Sequence, residues 1–203
     1  MVFQLIFIGI VACQSFQPIE PISTQQQLQE AWQTNQHAVW EVDWPTTPIG
    51  GTVVVEYWRF DNQYRFEILE ATSARLVGET LVSDGDLTWR YNRLKLDKTN
   101  LTETMSPARL SPVTDMFSLI EKRLNQSASI SAQQQITSTL SETSETIELI
   151  FADQTRLIFW LGLKTRLPLR IKLITSQETI SLKAQSNESL THPLQGLFGK
   201  PND

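Results

Sequence analysis

Alternation of apolar and polar residues is the feature that most constrains how this chain can fold. Every second residue is apolar in residues 38–44, and the same period recurs in residues 52–60 and 64–68. Successive side chains of a strand point to opposite faces, so this period predicts half-buried β-strands. Turn signals such as Asp61-Asn62 and Asp84-Gly85 separate the segments, which predicts an antiparallel meander with one apolar face.

The same alternating pattern continues along the chain and returns in its second half. Further strands are predicted at residues 75–83, 87–92, 146–151, 155–163, 169–173 and 179–184. Residues 99–112 have weak periodicity and are expected to be a break. Residues 126–146 are rich in serine, threonine and glutamine, and Ile130 and Ile136 predict an edge strand with a loop.

Two segments have a helical period instead. Residues 23–36 carry Leu28, Ala31 and Trp32 at helical spacing, with Ser23 as the expected N-cap. Residues 114–125 begin with Thr114 as the expected cap. Their apolar stripe consists of Met116, Phe117, Ile120 and Leu124. Met116 and Phe117 suit an adaptable contact with a ligand, but ordinary core packing explains them equally well.

A sheet of this many strands must curl or split, and only two helices are available to cover its apolar face. A curled sheet under a helical lid encloses an apolar cavity. The residues expected to line it are Val53, Val55, Tyr57, Phe66, Trp89, Met116, Phe117, Phe159 and Leu161. Alternation alone leaves open which face of each strand points inward, because a slip of one residue reverses it.

Composition argues against several classes of function. The chain has 203 residues, a net charge of -5 and one cysteine, which disfavours nucleic-acid binding and excludes a disulfide framework. His37 and His192 are far apart, without metal-ligand spacing. No nucleophile, phosphate-loop or dinucleotide motif occurs, so we expect no enzyme activity, metal or cofactor. The carboxylates Glu67, Glu70, Asp84 and Asp86 are expected on solvated strand exteriors and a turn.

A short apolar run near the N-terminus, residues 5–12, is followed directly by Cys13. The run is too short for a membrane span but has the length of a signal-peptide core. Residues 10–13 resemble the bacterial lipobox, which implies acylation of Cys13 with palmitate-like chains. The chain would then comprise a signal peptide (1–12), a tether (13–22) and a domain (23–203). The alternative is a buried cysteine in an apolar N-terminal strand.

Several segments together resemble the LolA/LolB-like lipoprotein-localisation superfamily, which includes RseB and mycobacterial lipid-carrying lipoproteins. Residues 160–170 look like its W-x-D-x-K-T-x-x-P-x-R turn, although Gly162 replaces the aspartate. Residues 51–58, Arg65-Phe66-Glu67, residues 82–91 and Leu197-Phe198 fit in order. The resemblance implies an α+β, mainly β fold: an incomplete barrel of about eleven antiparallel strands with a helical lid over a hydrophobic cavity.

The resemblance also implies a function. It indicates a monomeric, extracytoplasmic envelope lipoprotein, anchored to the cell membrane or outer membrane, that binds acyl chains, lipids or lipoproteins as a carrier or receptor. The alternative is an RseB-like regulatory or sensor module that binds a protein partner. Strand arginines can bond a lid residue in this superfamily. For Arg65, however, an exposed ion pair with Glu67 on the same strand face is the preferred interpretation.

Overall fold

The computed structural model describes residues 24–45, 51–95, 102–105, 112–126, 128–131, 136–139 and 142–200. Cys13, the predicted signal peptide and tether, the expected cap Ser23 and residues 46–50 lie outside the described residues. Within those ranges, no helix is long and apolar enough to span a membrane.

The described elements are two α-helices, one short 3-10 helix and a series of strands. The helices are α1 (Thr24–Gln33) and α2 (Pro112–Leu124), and the 3-10 helix is Arg93–Lys95. The first six strands are β1 (Gln36–Trp44), β2 (Gly51–Phe60), β3 (Gln63–Ala71), β4 (Glu79–Ser83), β5 (Leu87–Asn92) and β6 (Thr102–Met105). The others are β7 (Ser129–Ser131), β8 (Ile136–Thr139), β9 (Glu142–Ile150), β10 (Arg156–Gly162), β11 (Pro168–Ile174) and β12 (Thr179–Ser189).

All described strands belong to one antiparallel sheet. Its order is β6-β5-β4-β3-β2-β1-β12-β11-β10-β9-β7, and β8 also pairs with β9. The first half of the chain builds one side as a meander, and the second half returns so that β12 lies beside β1. Among the described strands, β6 and β7 at the two ends do not pair with each other, so the sheet is not closed.

One face of the sheet, here called the inner face, packs against both helices and carries the main core. The α1 stripe Leu28, Ala31 and Trp32 is buried, as the helical spacing predicts. All four residues of the α2 stripe are buried as well. On β1, Ala38, Trp40 and Val42 point into the same core. The predicted mainly β fold with two helices is therefore confirmed.

Several sequence-based boundaries were wrong. Helix α1 ends at Gln33 and not at residue 36, because Gln36 is the first residue of β1 and pairs with Arg59 and Ser189. Helix α2 begins at Pro112, so Thr114 lies inside its first turn; proline suits this position because an N–H donor is not needed there. Strand β4 begins at Glu79 instead of residue 75, because Gly78 turns the chain with a φ of 80°. Residues predicted as a break contain β6, whose pairing with β5 follows no local apolar period.

The edge strand predicted in the polar segment of residues 126–146 is found as two short strands. Ile130 and Ile136 each lie in a short strand, β7 and β8, and both strands pair with β9. Strand β9 begins four residues earlier than expected, at Glu142. Strand β12 continues past residue 184 to Ser189, because the first residues of β1 supply backbone partners on the far side of a bulge at Val39/Trp40.

Candidate functional site

An aromatic cluster joins both helices to the inner face, and Phe117 of α2 is at its centre. The Phe117 ring centroid lies 5.5 Å from Trp32 of α1, in a stacked arrangement. It also lies 5.1 Å from Tyr57 and 4.8 Å from Phe66 on the sheet. Rings at these distances attract one another beyond the gain from burial alone. The cluster therefore holds the helices on the sheet through apolar contacts.

The structure brings together most of the residues predicted to line a cavity. Val53, Val55, Tyr57, Phe66, Met116, Phe117, Phe159 and Leu161 all belong to the main core cluster beneath the helices. Their contact with a ligand stays a prediction, because here they pack against one another and against the helices.

Trp89 is the predicted residue that lies elsewhere. It pairs directly across the strands with Val82, and both belong with Tyr91 to a second apolar cluster. On β4, Leu81 points to the inner face and its neighbour Val82 to the opposite, outer face. Since cross-strand partners share a face, the apolar side of β5 points outward. The structure therefore does not bring Trp89 to the other eight residues.

Two glutamines of α1, here called the interhelical glutamines, link α1 to the C-terminus of α2. Gln25 Nε2 donates to the carbonyl oxygens of Leu124 and Gln126 at 2.8 Å and 2.6 Å. Gln29 Nε2 donates to Leu124 O at 2.7 Å. The last carbonyls of a helix have no partner within the helix, so these bonds satisfy them. The polar face of α1 thus has a specific contact that its glutamine-rich sequence does not reveal.

A second polar link joins α2 to the sheet. Arg59 of β2 lies 3.8 Å from the Glu121 carboxylate of α2, and the arginine side chain is only 17% exposed. Sequence reasoning considered Arg65 for a contact with the lid and missed Arg59. The available signal was its position two residues after Tyr57, on the same face of β2. This pair lies at one end of the aromatic cluster.

Tyr57 combines the apolar cluster with this polar link. Complete burial raises the pKa of the Tyr57 hydroxyl to about 12, although the neighbouring Arg59 guanidinium opposes the rise. The phenol is therefore neutral in the folded protein at every physiological pH.

Stability should fall in alkaline solution because of Tyr57. Above about pH 10 the phenol ionises in the unfolded chain but stays protonated in the fold until about pH 12. The unfolding free energy should therefore decrease by roughly 2–3 kcal/mol as pH rises through this window. Urea titrations of the wild type and Tyr57→Phe between about pH 9 and pH 12 test this. Equal decreases in both proteins would show that Tyr57 is not the cause.

The outer face carries an ion cluster in which Arg65 and Glu67 are mostly buried and the Arg93 side chain is 51% exposed. Arg65 Nη2 lies 3.1 Å from Glu67 Oε2, and Arg93 Nε bonds the other carboxylate oxygen. The predicted Arg65–Glu67 pair is therefore confirmed, but its predicted exposure is wrong, because the Glu67 side chain is only 6% exposed. Arg65 also donates to the Tyr91 hydroxyl at 3.3 Å. These partners satisfy a carboxylate that the sequence places on a solvated surface.

The same outer surface continues through aromatic contacts to β1. The Arg65 guanidinium lies 5.6 Å from the centroid of Trp58, and the His37 ring stacks on Trp58 at 5.0 Å. His37 Nε2 and Nδ1 lie 2.8 Å and 2.9 Å from carboxylate oxygens of Glu56 and Glu188. In the described part of the chain, no cluster of three or more histidine, cysteine, aspartate or glutamate side chains could hold a metal ion.

The superfamily-like segment at residues 160–170 forms the β10–β11 hairpin. Trp160 pairs directly with Arg170, whose guanidinium lies 5.1 Å from the indole centroid. At the turn, Gly162 N donates to Leu167 O at 3.0 Å and Gly162 O accepts from Arg166 N at 2.9 Å. The ends of this motif thus stabilise a hairpin, and Gly162 contributes through its backbone.

Comparison with known proteins identifies the fold. No protein-family model matches the chain, and no curated protein matches its sequence. An uncharacterized conserved protein from Thermus thermophilus matches with a TM-score of 0.57 and 12% identity, over 87% of this chain and 91% of that one.

Two matches with descriptive names are also similar over most of this chain. MucB, solved in the Pseudomonas aeruginosa MucA/MucB complex, matches with a TM-score of 0.54 and 13% identity, over 86% of this chain and 59% of MucB. The Mycobacterium tuberculosis lipoprotein LppX matches with a TM-score of 0.50 and 10% identity, over 79% of this chain and 92% of LppX. The chain thus shares its fold with MucB and LppX, as the resemblance stated from the sequence implies for the fold.

Proposed function

We propose that this protein binds an acyl chain of a lipid or lipoprotein between its two helices and the inner face of its sheet. The observation that supports this most is the composition of that interface. Aromatic and aliphatic side chains fill it, and Phe117 of α2 contacts both α1 and the sheet. Polar links between the helices and to the sheet lie at its edges. A ligand without directional chemistry fits such a surface.

When an acyl chain binds, its contacts with the inner face replace contacts that the side chains of the helices make there. Each buried CH₂ group of an acyl chain contributes roughly 0.8 kcal/mol. Trp32, Met116 and Phe117 already cover the inner face, so they must move aside when the chain enters. The net affinity is therefore smaller than the gross gain from burial. A modest net affinity suits a carrier or receptor that must also release its ligand.

The proposed setting is the cell envelope. Acylation of Cys13 would anchor a monomeric protein to the outer leaflet of the cell membrane or to the outer membrane, close to a source of acyl chains. One neighbour in fold, LppX, is itself named a lipoprotein, which supports this setting. Mass spectrometry of the protein from membranes tests it, because acylation adds fatty-acyl mass to the peptide that begins at Cys13.

Affinity for fatty acids should depend on the inner face. We expect Val55→Glu, which puts a carboxylate at a fully buried inner position, to weaken binding of a fluorescent fatty acid at least about tenfold. Thr52→Glu, on the exposed outer side of the same strand, should leave binding unchanged. Circular dichroism establishes that both variants fold. A folded Val55→Glu protein with wild-type affinity would contradict the proposed binding face.

The interhelical glutamines should control how fast the ligand enters. Gln25→Ala combined with Gln29→Ala removes four hydrogen bonds to Leu124 at the end of α2 and to the two residues after it. Each such bond contributes about 1 kcal/mol, so we expect fatty-acid uptake to become at least about tenfold faster in stopped-flow fluorescence. Gln33→Ala, at an exposed position at the other end of α1, is the matched control. Unchanged uptake in the double variant would mean that the helices need not separate.

Binding of a protein partner is the second candidate function. It is favoured by the fold match to MucB, which was solved in complex with MucA. The match covers 59% of MucB, so a substantial part of that protein has no counterpart in the aligned region. Cross-linking in membranes with a photoreactive residue at the exposed Leu94 would distinguish the two candidates. A single protein adduct would favour the partner-binding role.

A further inference from the structure

A polar cleft lies where α1 meets the β10–β11 turn. Its volume is about 230 Å³, and it is lined by Gln27, Glu30, Ala31, Thr34, Thr165 and Arg166. Gln27, Glu30 and Ala31 follow one side of α1 at helical spacing, Thr34 comes directly after the helix, and the last two residues belong to the hairpin turn. The cleft is therefore built by an element that covers the inner face and by the superfamily-like turn.

Arg166 supplies the positive charge of this cleft. Its Nη1 lies 3.1 Å from Glu145 Oε2 and its Nη2 lies 3.3 Å from Gln27 Oε1, so both contacts orient the guanidinium. The side chain remains 47% exposed, and a guanidinium has five N–H donors. The backbone has a φ of 57°, a left-handed conformation that side chains other than glycine rarely adopt.

Glu30 supplies a negative charge from the opposite wall. Its Oε1 accepts a hydrogen bond from Gln26 Nε2 at 3.2 Å, and it makes no ion pair with any residue in the described ranges. The cleft thus presents an anion on α1 and a cation on the turn. A ligand that carries both charges complements it better than a ligand with a negative charge alone, which Glu30 and Glu145 would repel.

Ala31 connects this cleft with the proposed acyl site. It lines the cleft and also belongs to the main core cluster beneath the helices. Its side chain is a single methyl group, so little bulk separates the polar cleft from the apolar interior at this position. A ligand with a charged head and an acyl tail could occupy both regions at once.

We propose that the cleft binds an organic phosphate bearing a primary amine, as in the head group of an ethanolamine phospholipid. The Arg166 guanidinium binds the phosphate, because its planar donors match phosphate oxygens. The Glu30 carboxylate binds the ammonium group. This assignment rests on the proposed function and names the lipid class that the acyl site takes.

Lipid transfer to the full-length protein tests this assignment. Vesicles of phosphatidylcholine carry either labelled phosphatidylethanolamine or labelled phosphatidylglycerol with the same acyl chains, and free palmitate is measured in parallel. We expect the wild type to take up the ethanolamine lipid about tenfold better than the glycerol lipid. Glu30→Gln should abolish this preference. Arg166→Gln should reduce uptake of both phospholipids about tenfold, and Gln33→Ala, an exposed position outside the cleft, should leave uptake of both unchanged.

Further variants and a soluble ligand separate the possible outcomes. Arg166→Gly suits the left-handed backbone, so it removes the guanidinium without burdening the fold and should behave like Arg166→Gln. Equal uptake of both phospholipids by the wild type, with palmitate uptake intact, would overturn the head-group site and leave the acyl site standing. Absence of palmitate uptake would overturn both. Binding of soluble phosphoethanolamine without any lipid preference would overturn the lipid assignment.

Discussion

Phe117→Ala should lower the free energy of unfolding by about 3–5 kcal/mol, as expected for removing a buried phenylalanine. The Phe117 ring contacts Trp32, Tyr57 and Phe66, and only 5% of its surface is exposed. Its removal leaves a cavity between α2 and the inner face and removes the aromatic contact between Phe117 and Trp32 of α1. Urea titration followed by tryptophan fluorescence measures the loss.

The same variant also tests the acyl site. If an acyl chain enters where the Phe117 ring was, palmitate should raise the melting temperature of Phe117→Ala more than that of the wild type. Trp89→Ala is the matched control, because it removes a buried aromatic ring from the separate outer-face cluster. Its melting temperature should respond to palmitate as the wild type does. Equal rescue of both variants would place the ligand away from the helix interface.

Glu67→Ala should cost about 3 kcal/mol of stability, because it leaves buried positive charge without its partner. Glu67 accepts hydrogen bonds from Arg65 and Arg93, and Arg65 is itself mostly buried on the outer face. Removal of one member of such a cluster costs more than the pair contributes, since the remaining guanidinium groups lose their compensation. Chemical denaturation at neutral pH measures this loss.

Glu70 on the same strand provides the control for this prediction. It is exposed, so Glu70→Ala should change stability by less than about 0.5 kcal/mol. Replacing the pair together, with Arg65→Met and Glu67→Leu, should restore part of the stability that Glu67→Ala loses. If Glu67→Ala were no worse than Glu70→Ala, the ion cluster would contribute nothing to the fold.

Local patterns in the sequence predict much of this fold. The strand period predicts the inner side of β1, and the helical spacing predicts the buried stripe of α2. The turn signals at Asp61 and Asp84 are confirmed by the hairpins that they close. Each of these features depends only on residues that are close together in the sequence, so local patterns are enough to predict it.

Features that depend on distant contacts could not be predicted in this way. The outward direction of Trp89 follows from its register with Val82, and a register is a property of two strands. The burial of Glu67 depends on Arg93, twenty-six residues further along the chain. Strand β6 exists because β5 offers backbone partners, not because of its own apolar period. The Gln25 contacts join residues about one hundred positions apart.

An acyl chain is proposed to bind between the two helices and the inner face of the sheet. Native mass spectrometry of the protein purified without detergent tests it most directly. We expect a noncovalent mass increment that disappears on denaturation, and organic extraction should identify it as a fatty acid or phospholipid. A protein that carries no such mass and takes up no added palmitate would contradict the claim.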